Sequence, residues 1–296
     1  MMSLSNIFSF LFLSAAWGGS YLFIRLSIAD FGPIPMAELR LGLASLVLLP
    51  VMLINPSWRQ HLLIKKGEWS HLTIIGILNS ALPFCLIAFA MQTLSAGVGS
   101  ILNSTAPIWG ALVAAIWLGE RLSVLRIIGL IVGVVGVVVL VWGKVYLGQS
   151  GEGLQILSIL MATLSYGLAA NYIKKYGAAM HPLKLTVGSM VIGAILVGPL
   201  AYQFWPSKEI VPQVWLAVIG LGVVSTAYAY VVYFQLIEKV GPARAIAVTF
   251  LIPVFGMIWG GLFLDELVTP RMLIGASIVL LGTALATGVL KRLLPT

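Results

Sequence analysis

The chain has 296 residues, 60% of them hydrophobic and 9% charged, with a formal net charge of +8. Soluble domains carry roughly 25% charged residues, so this chain cannot clothe a core in a water-facing skin, and lipid is its solvent over most of its surface. The basic residues lie thinly between hydrophobic runs, which argues against a nucleic-acid partner. The single Cys85 excludes an intrachain disulfide, and three scattered histidines offer no metal-ligand spacing.

Stretches free of Asp, Glu, Lys and Arg mark out the spans in chain order: 1–24, 41–58, 72–119, 127–143, 153–173, 185–207, 210–237, 245–264 and 272–290. The third is 48 residues, about 72 Å as one helix, and must cross a ~30 Å hydrocarbon core twice. Its most turn-like segment is 93–97, Thr-Leu-Ser-Ala-Gly. Ten crossings follow, and continuous apolarity selects helices over alternating barrel strands. The first run lacks a basic leader and is too long for a cleaved signal, so it reads as a retained helix. Cys85, in an apolar run, reads as a buried, inert thiol.

Positive charge sets the orientation. With the N-terminus inside, the cytoplasmic segments hold Arg59, Lys65, Lys66, Arg121, Arg126, Lys174, Lys175, Lys184, Lys239, Arg244, Lys291 and Arg292. Arg25, Arg40, Lys144, Lys208 and Arg271 lie opposite. This split of 12 to 5 places both termini in the cytoplasm. It also accounts for the net charge without a polyanionic partner. Trp58, Trp69, Trp117, Trp142, Trp205 and Trp215 fall near span ends, as interfacial anchors do. Residues 57–69 read as an amphipathic segment on the inner surface.

The chain repeats itself. Sliding 94–143 along by 146 positions lays Pro107 on Pro253, Gly110 on Gly256, Leu118 on Leu264, Glu120 on Glu266, Gly129 on Gly275 and Gly136 on Gly282, without a gap. A slightly different offset lays Trp17-Gly18 on Tyr166-Gly167 and Arg25 on Lys174. The expected fold is an all-α membrane protein of ten transmembrane helices in two five-helix repeats, residues 1–147 and 148–296. Five is odd, so the second repeat enters from the opposite side. Inverted repeats of this kind are frequent in secondary transporters.

The paired phrases "APIWGALVAAIWLGERLSVLRIIG" and "IPVFGMIWGGLFLDELVTPRMLIG", with Trp17-Gly18 in the first span and Arg40 in "AELRLGLASLVLL", resemble the EamA-type drug/metabolite transporter family over about residues 7–290. That resemblance implies a ten-helix, 5+5 transporter of small metabolites, often an exporter. Members handle amino acids, drugs, nucleotide sugars and other solutes. The expectation here is an exporter of amino acids or related amphipathic solutes in the inner (cytoplasmic) membrane, with a small-molecule solute and the bilayer as partners. No cofactor and no obligatory protein partner is expected.

Helical spacing picks out the candidate solute contacts. In the fourth span Gly99, Asn103, Pro107, Gly110 and Ala114 share a stripe; in the ninth, Ala245, Thr249, Pro253, Gly256 and Gly260 do. Asn103 and Thr249 match, each one turn before a proline. An amide facing lipid is costly, so Asn103 is read as cavity lining; the glycines read first as close-packing positions. Trp17, Tyr21, Asn79, Tyr166 and Tyr230 complete the predicted cavity, and Pro83, Pro107, Pro253, Gly18 and Gly167 are the hinge or gate candidates. Glu38, Arg40, Glu120 and Glu266 are read as structural charges. Arg40 would seek a carbonyl or carboxylate near the outer interface, or snorkel to it. Glu120 and Glu266, just before Ser123 and Thr269-Pro270, would favour the starts of the fifth and tenth helices.

No span carries a carboxylate at mid-depth, so a built-in proton relay is not expected. The alternatives are an intramembrane enzyme, which lacks a general base among its mid-span serines, and a channel-like facilitator, which lacks charge rings or filter motifs. No GxxxxGK[ST] sequence is present.

Overall fold

The computed structural model describes residues 3–143 and 152–288. Lys144, Lys291, Arg292 and the expected 147/148 repeat boundary lie outside the described residues. Nine helices are long and apolar enough to cross a bilayer among the described residues: α1 Leu4–Phe31, α2 Pro33–Ile54, α3 Glu68–Ala90, α4 Ala96–Leu118, α5 Val124–Val141, α6 Gly153–Gly177, α7 Pro182–Gln203, α8 Pro212–Val240 and, last in the chain, α10 Pro270–Thr287. The ninth crossing, α9, is assembled from three pieces: Pro242–Ala245, a 3₁₀ segment Ile246–Phe250 and Ile252–Phe263. The fold is the ten-helix bundle of two inverted five-helix repeats. The side on which α1 begins and α10 ends is called the near side below, the other the far side.

Local chemistry explains the ends. Pro33, Pro182, Pro212 and Pro270 open their helices, where a missing N–H costs nothing. Ser95 accepts from Val98 N and Thr269 from Met272 N, both at 3.3 Å, as N-caps. Gly32, at φ 75°, makes the tight turn from α1 into α2. The break in the 48-residue run falls at 91–95, starting two residues ahead of the predicted 93–97 and overlapping it.

The mates of the two repeats pack in parallel pairings. Helices α5 and α10 press against each other, as do α2 and α7; α4 with α6 is mirrored by α9 with α1, and α3 with α6 by α8 with α1. The α5–α10 seam is made of small residues. A Cβ on Gly136 would stand 2.6 Å from Val279 N, and one on Gly282 would overlap the Gly133 backbone. Without a hydrophobic drive between helices in lipid, such close backbone approach supplies the dispersion that holds them.

Several details differ from expectation. Residues 57–69 hold one helical turn, Pro56–Arg59, and otherwise lack a helix up to Glu68. The segment is pinned, not floating: His61 stacks on His181 with ring centroids 3.7 Å apart, and Lys184 Nζ donates to Leu63 O at 2.7 Å and pairs with Glu68 at 2.9 Å. Trp58 is buried in the core instead of anchoring at the interface, because that docking folds it under the bundle. Cys85 is only half-buried.

The seam yields a test. Gly282→Leu should lower the thermal stability of the purified protein by about 1–3 kcal/mol or abolish folding, since overpacking against backbone has no side chain to yield. Leu at Gly67, which has open space around it, should leave stability nearly unchanged in the same fluorescence-detected melt.

Candidate functional site

Trp17, Tyr21, Asn79, Asn103, Tyr166, Tyr230 and Thr249 all line one cavity of about 320 Å³ between the repeats. They converge because each sits on the inward stripe of its helix, and Asn79, Asn103, Tyr230 and Thr249 also lie in or beside irregular backbone. Helix α4 breaks after Asn103, and Pro107 opens its second half, Ala106–Leu118. In α9, Thr249 lies in the 3₁₀ segment and Pro253 opens the following α-helical piece. The two prolines therefore start new helical segments instead of kinking continuous ones. Pro83 likewise follows a π-helical segment, Ile77–Ala81, which contains Asn79. A matching π segment, Gly220–Tyr228, precedes Tyr230 in α8. Composition gives no signal for these π turns, which is why sequence reasoning missed them; π segments are often found at functional sites.

Sequence reasoning also missed part of the wall. Ser20, Phe84 and Ile87 line the cavity. So does Arg40, which does not reach for a carbonyl or carboxylate at the interface. Its Nε donates to Thr226 Oγ1 at 3.1 Å, and its guanidinium lies 3.9 Å from the Phe84 ring centroid. The signal was available: Arg40 is three residues after buried Ala37 and four before buried Ala44, on the inward face of α2. The π geometry of α8 supplies its partner, since Thr226 Oγ1 donates five residues back to Leu221 O at 2.7 Å and keeps a lone pair for Arg40. Glu38 does not pair with Arg40; its carboxylate lies beside Gly42 and Gly198. Asn103 Oδ1 is buried without a hydrogen-bond partner among the described residues.

Gly18 and Gly167 sit at close crossings inside continuous helices, not at bends. A Cβ on Gly18 would come within 2.6 Å of Phe255 Cβ, and one on Gly167 within 2.9 Å of Trp109 Cβ and Gly110 N. Trp109 and Gly110 are the 146-residue mates of Phe255 and Gly256, so α1–α9 and α6–α4 are the same contact made twice.

Between α4 and α9 the symmetry fails. On the far side the first half of α4 packs against the last piece of α9, with Gly256 directly against Ser100. On the near side Gly110, the mate of Gly256, faces open space, and no comparable packing joins the second half of α4 to the start of α9 among the described residues. The acidic mates follow suit. Glu266 was expected to serve the start of α10; instead it accepts from Ala96 N at 2.8 and 3.1 Å, capping α4 across the repeat boundary, while Arg25 Nε lies 3.6 Å away. Thr269 caps α10 without help. Asp265, at φ 53°, turns the chain back, and Gly260 leaves the space that the Glu266 carboxylate fills. Arg25 in turn donates to Met91 O and Gln92 O at 3.1 and 3.2 Å. On the near side Glu120 pairs with Lys174 and does not cap α5, whose N-cap Ser123 makes no side-chain cap bond.

Two repeats with one packing logic match one known family twice: the EamA-like transporter family profile covers residues 4–142 and again 153–288. The chain belongs to the EamA-like transporter family. This EamA-like chain is 29% identical to an uncharacterized transporter of Archaeoglobus fulgidus over 90% of its own length and 92% of that protein's. It is 25% identical to the uncharacterized transporter YoaV of Bacillus subtilis, over 93% and 94% of the two chains. A WAT1-related chloroplastic protein of Arabidopsis thaliana is 23% identical over 90% of this chain and 65% of that protein. A solved crystal structure has the same fold, with a TM-score of 0.66 at 19% identity over 99% of this chain and 100% of that one. The chain is thus a multi-pass membrane transporter.

The cavity of this EamA-like protein combines aromatic walls with a few polar tips. Trp17 meets Tyr230 and Tyr233 at centroid distances of 5.9 and 5.1 Å. Such walls suit an amphipathic small molecule. Asn103→Leu should leave folded protein in the membrane but weaken solute binding by about 1–3 kcal/mol, the cost of unpaired polar partners. In a Cys85→Ala background, a cysteine placed at 103 should react with a water-soluble maleimide and be slowed by solute. Unreactive cysteine under all conditions would remove Asn103 from the cavity.

Proposed function

We propose that this protein is a secondary transporter that moves a small amphipathic organic solute, outward, across the cytoplasmic membrane by alternating access. Both termini lie in the cytoplasm, so the near side is the inner side and the structure is the inward-facing form. The halves 1–147 and 148–296 are the exchanging units, and catalysis of a chemical reaction is not part of the activity.

The observation that carries this reading is a failure of the pseudo-twofold between two mates. The α5–α10, α2–α7 and glycine-crossing contacts follow the symmetry, yet α4 and α9 touch on the far side and part on the near side. Exchanging the roles of the repeats converts one arrangement into the other, so a second state of comparable energy is built into the same contacts. In that state Gly110 docks on α9 near Ile246, the mate of Ser100, and Glu120 moves toward the start of α9 while Glu266 releases Ala96. Prolines at positions 107 and 253 open the segments that swing, and the close crossings at Gly18 and Gly167 stay packed as pivots.

The test is solute flux in proteoliposomes. Saturable counterflow is expected; linear, high-conductance flux would show a channel, and turnover of the solute an enzyme. Gly110→Leu is the discriminating variant. It has room in the inward-facing form, so stability should hold, yet it blocks the mirrored contact and should cut exchange at least about 10-fold, the effect of ~1.4 kcal/mol of differential destabilisation. Unchanged exchange would remove the rocking model. Orientation is checked separately: a reporter inserted after Lys65 should read cytoplasmic and one after Lys208 external.

A further inference from the structure

We infer that the cavity recognises its solute through a carboxylate bound end-on by Arg40, so that the preferred solutes are small organic monoanions with an apolar or aromatic body. This deepens the transporter reading above and rests on it for the identity of the cavity.

Arg40 is the eighth residue of α2, about 10 Å along the helix from its far-side start, well inside the hydrocarbon slab. A guanidinium at such depth is rare and marks a functional path. Its own surroundings hold it in place without neutralising it. Thr226 Oγ1 accepts the hydrogen bond from Nε, and the Phe84 face covers one side of the plane. Among the described residues nothing takes a hydrogen bond from either Nη group, and no carboxylate comes within 4.0 Å. Four cations elsewhere, Arg25, Lys174, Lys184 and Lys208, do have an acidic partner.

The geometry that remains is specific. With Nε committed, the Nη1/Nη2 edge points free, and that edge forms two parallel bonds to one carboxylate. Every other polar side chain lining the cavity is neutral, whether hydroxyl, amide or indole. No Asp, Glu or His lines it. A monoanion therefore leaves the loaded cavity electrically neutral. An amine would add a second positive charge, a zwitterion would leave its ammonium without a counter-charge, and a dianion would leave an excess negative charge in an apolar wall. The aromatic side chains Trp17, Phe84 and Tyr233 fit the other end of the molecule.

The experiment is calorimetric titration of the purified full-length protein with three molecules that share a body and differ in charge: phenylacetate, phenylethylamine and phenylalanine. Phenylacetate should bind about 10- to 100-fold more tightly than the amine, the range expected for charge-assisted hydrogen bonds, with phenylalanine between them. Arg40→Gln should erase the preference, and Arg40→Lys should keep its direction at lower affinity. If the glutamine variant fails to fold, the wild-type order decides by itself. Equal affinities, a preference for the amine, or no phenylacetate binding at millimolar concentration overturns the inference. Binding with the expected order but without flux in proteoliposomes overturns the transporter reading instead, whereas flux with amine preference overturns only the carboxylate.

Discussion

One carboxylate holds the far side of the bundle together. Glu266 meets three demands at once: an unsatisfied N–H at the start of α4, the nearby guanidinium of Arg25, and the gap over Gly260 that admits its side chain. The first four N–H groups of any helix lack an internal partner and carry the positive end of its dipole, so an anion there gains both a hydrogen bond and field stabilisation. Because the acid comes from the second repeat and the helix from the first, a local capping bond becomes a fastening between halves. The cavity below it, with its roof of Ser100 against Gly256, exists because this fastening is closed.

The same residue types sit at the other end of the pseudo-twofold. Glu120 and Lys174 repeat Glu266 and Arg25, and Gly110 repeats Gly256, but they are arranged around an opening instead of a seam. The contacts that follow the pseudo-twofold are α5–α10 and α2–α7, each mapping onto itself, and the glycine crossings of α1 and α6, which map onto each other. Irregular backbone in α3, α4, α8 and α9 lies where these helices supply Asn79, Asn103, Tyr230 and Thr249 to the cavity. The remaining wall, with Trp17, Tyr21, Arg40 and Tyr166, comes from regular helix.

Much of this was legible in the chain. Charge-free runs count the spans because burying Asp, Glu, Lys or Arg in hydrocarbon is costly, and the turn at 91–95 overlaps the segment chosen for its turn-forming residues. The seven cavity residues could be read from helical phase because a polar group on an apolar helix must find an interior. What could not be read is instructive in each case. The π segments are a matter of backbone pitch, and Leu-Asn-Ser or Val-Ser-Thr is equally compatible with α geometry. Glu266 was assigned to the helix next to it in sequence, whereas the helix start nearest in space belongs to the other repeat. Arg40 was placed at the interface because arginines near helix ends usually snorkel, but the inward face of α2 and the hydroxyl offered by Thr226 hold it inside.

The start of α9 carries one asymmetry that the repeat does not share. Ala96, whose N–H receives Glu266, has Pro242 as its mate, and Ser95, which caps α4, has Gly241. A proline offers no N–H and a glycine no hydroxyl, so the fastening that Glu120 could make on the near side lacks both the donor and the cap found on the far side. A charge-assisted hydrogen bond is worth about 1.5–3 kcal/mol, equivalent to roughly a 10- to 100-fold bias between two states. In the proposed cycle the empty carrier therefore rests with its mouth toward the cytoplasm. Under that proposal, reorientation waits for a cargo whose own contacts make up the difference, and the N–H that Pro242 lacks sets the resting direction.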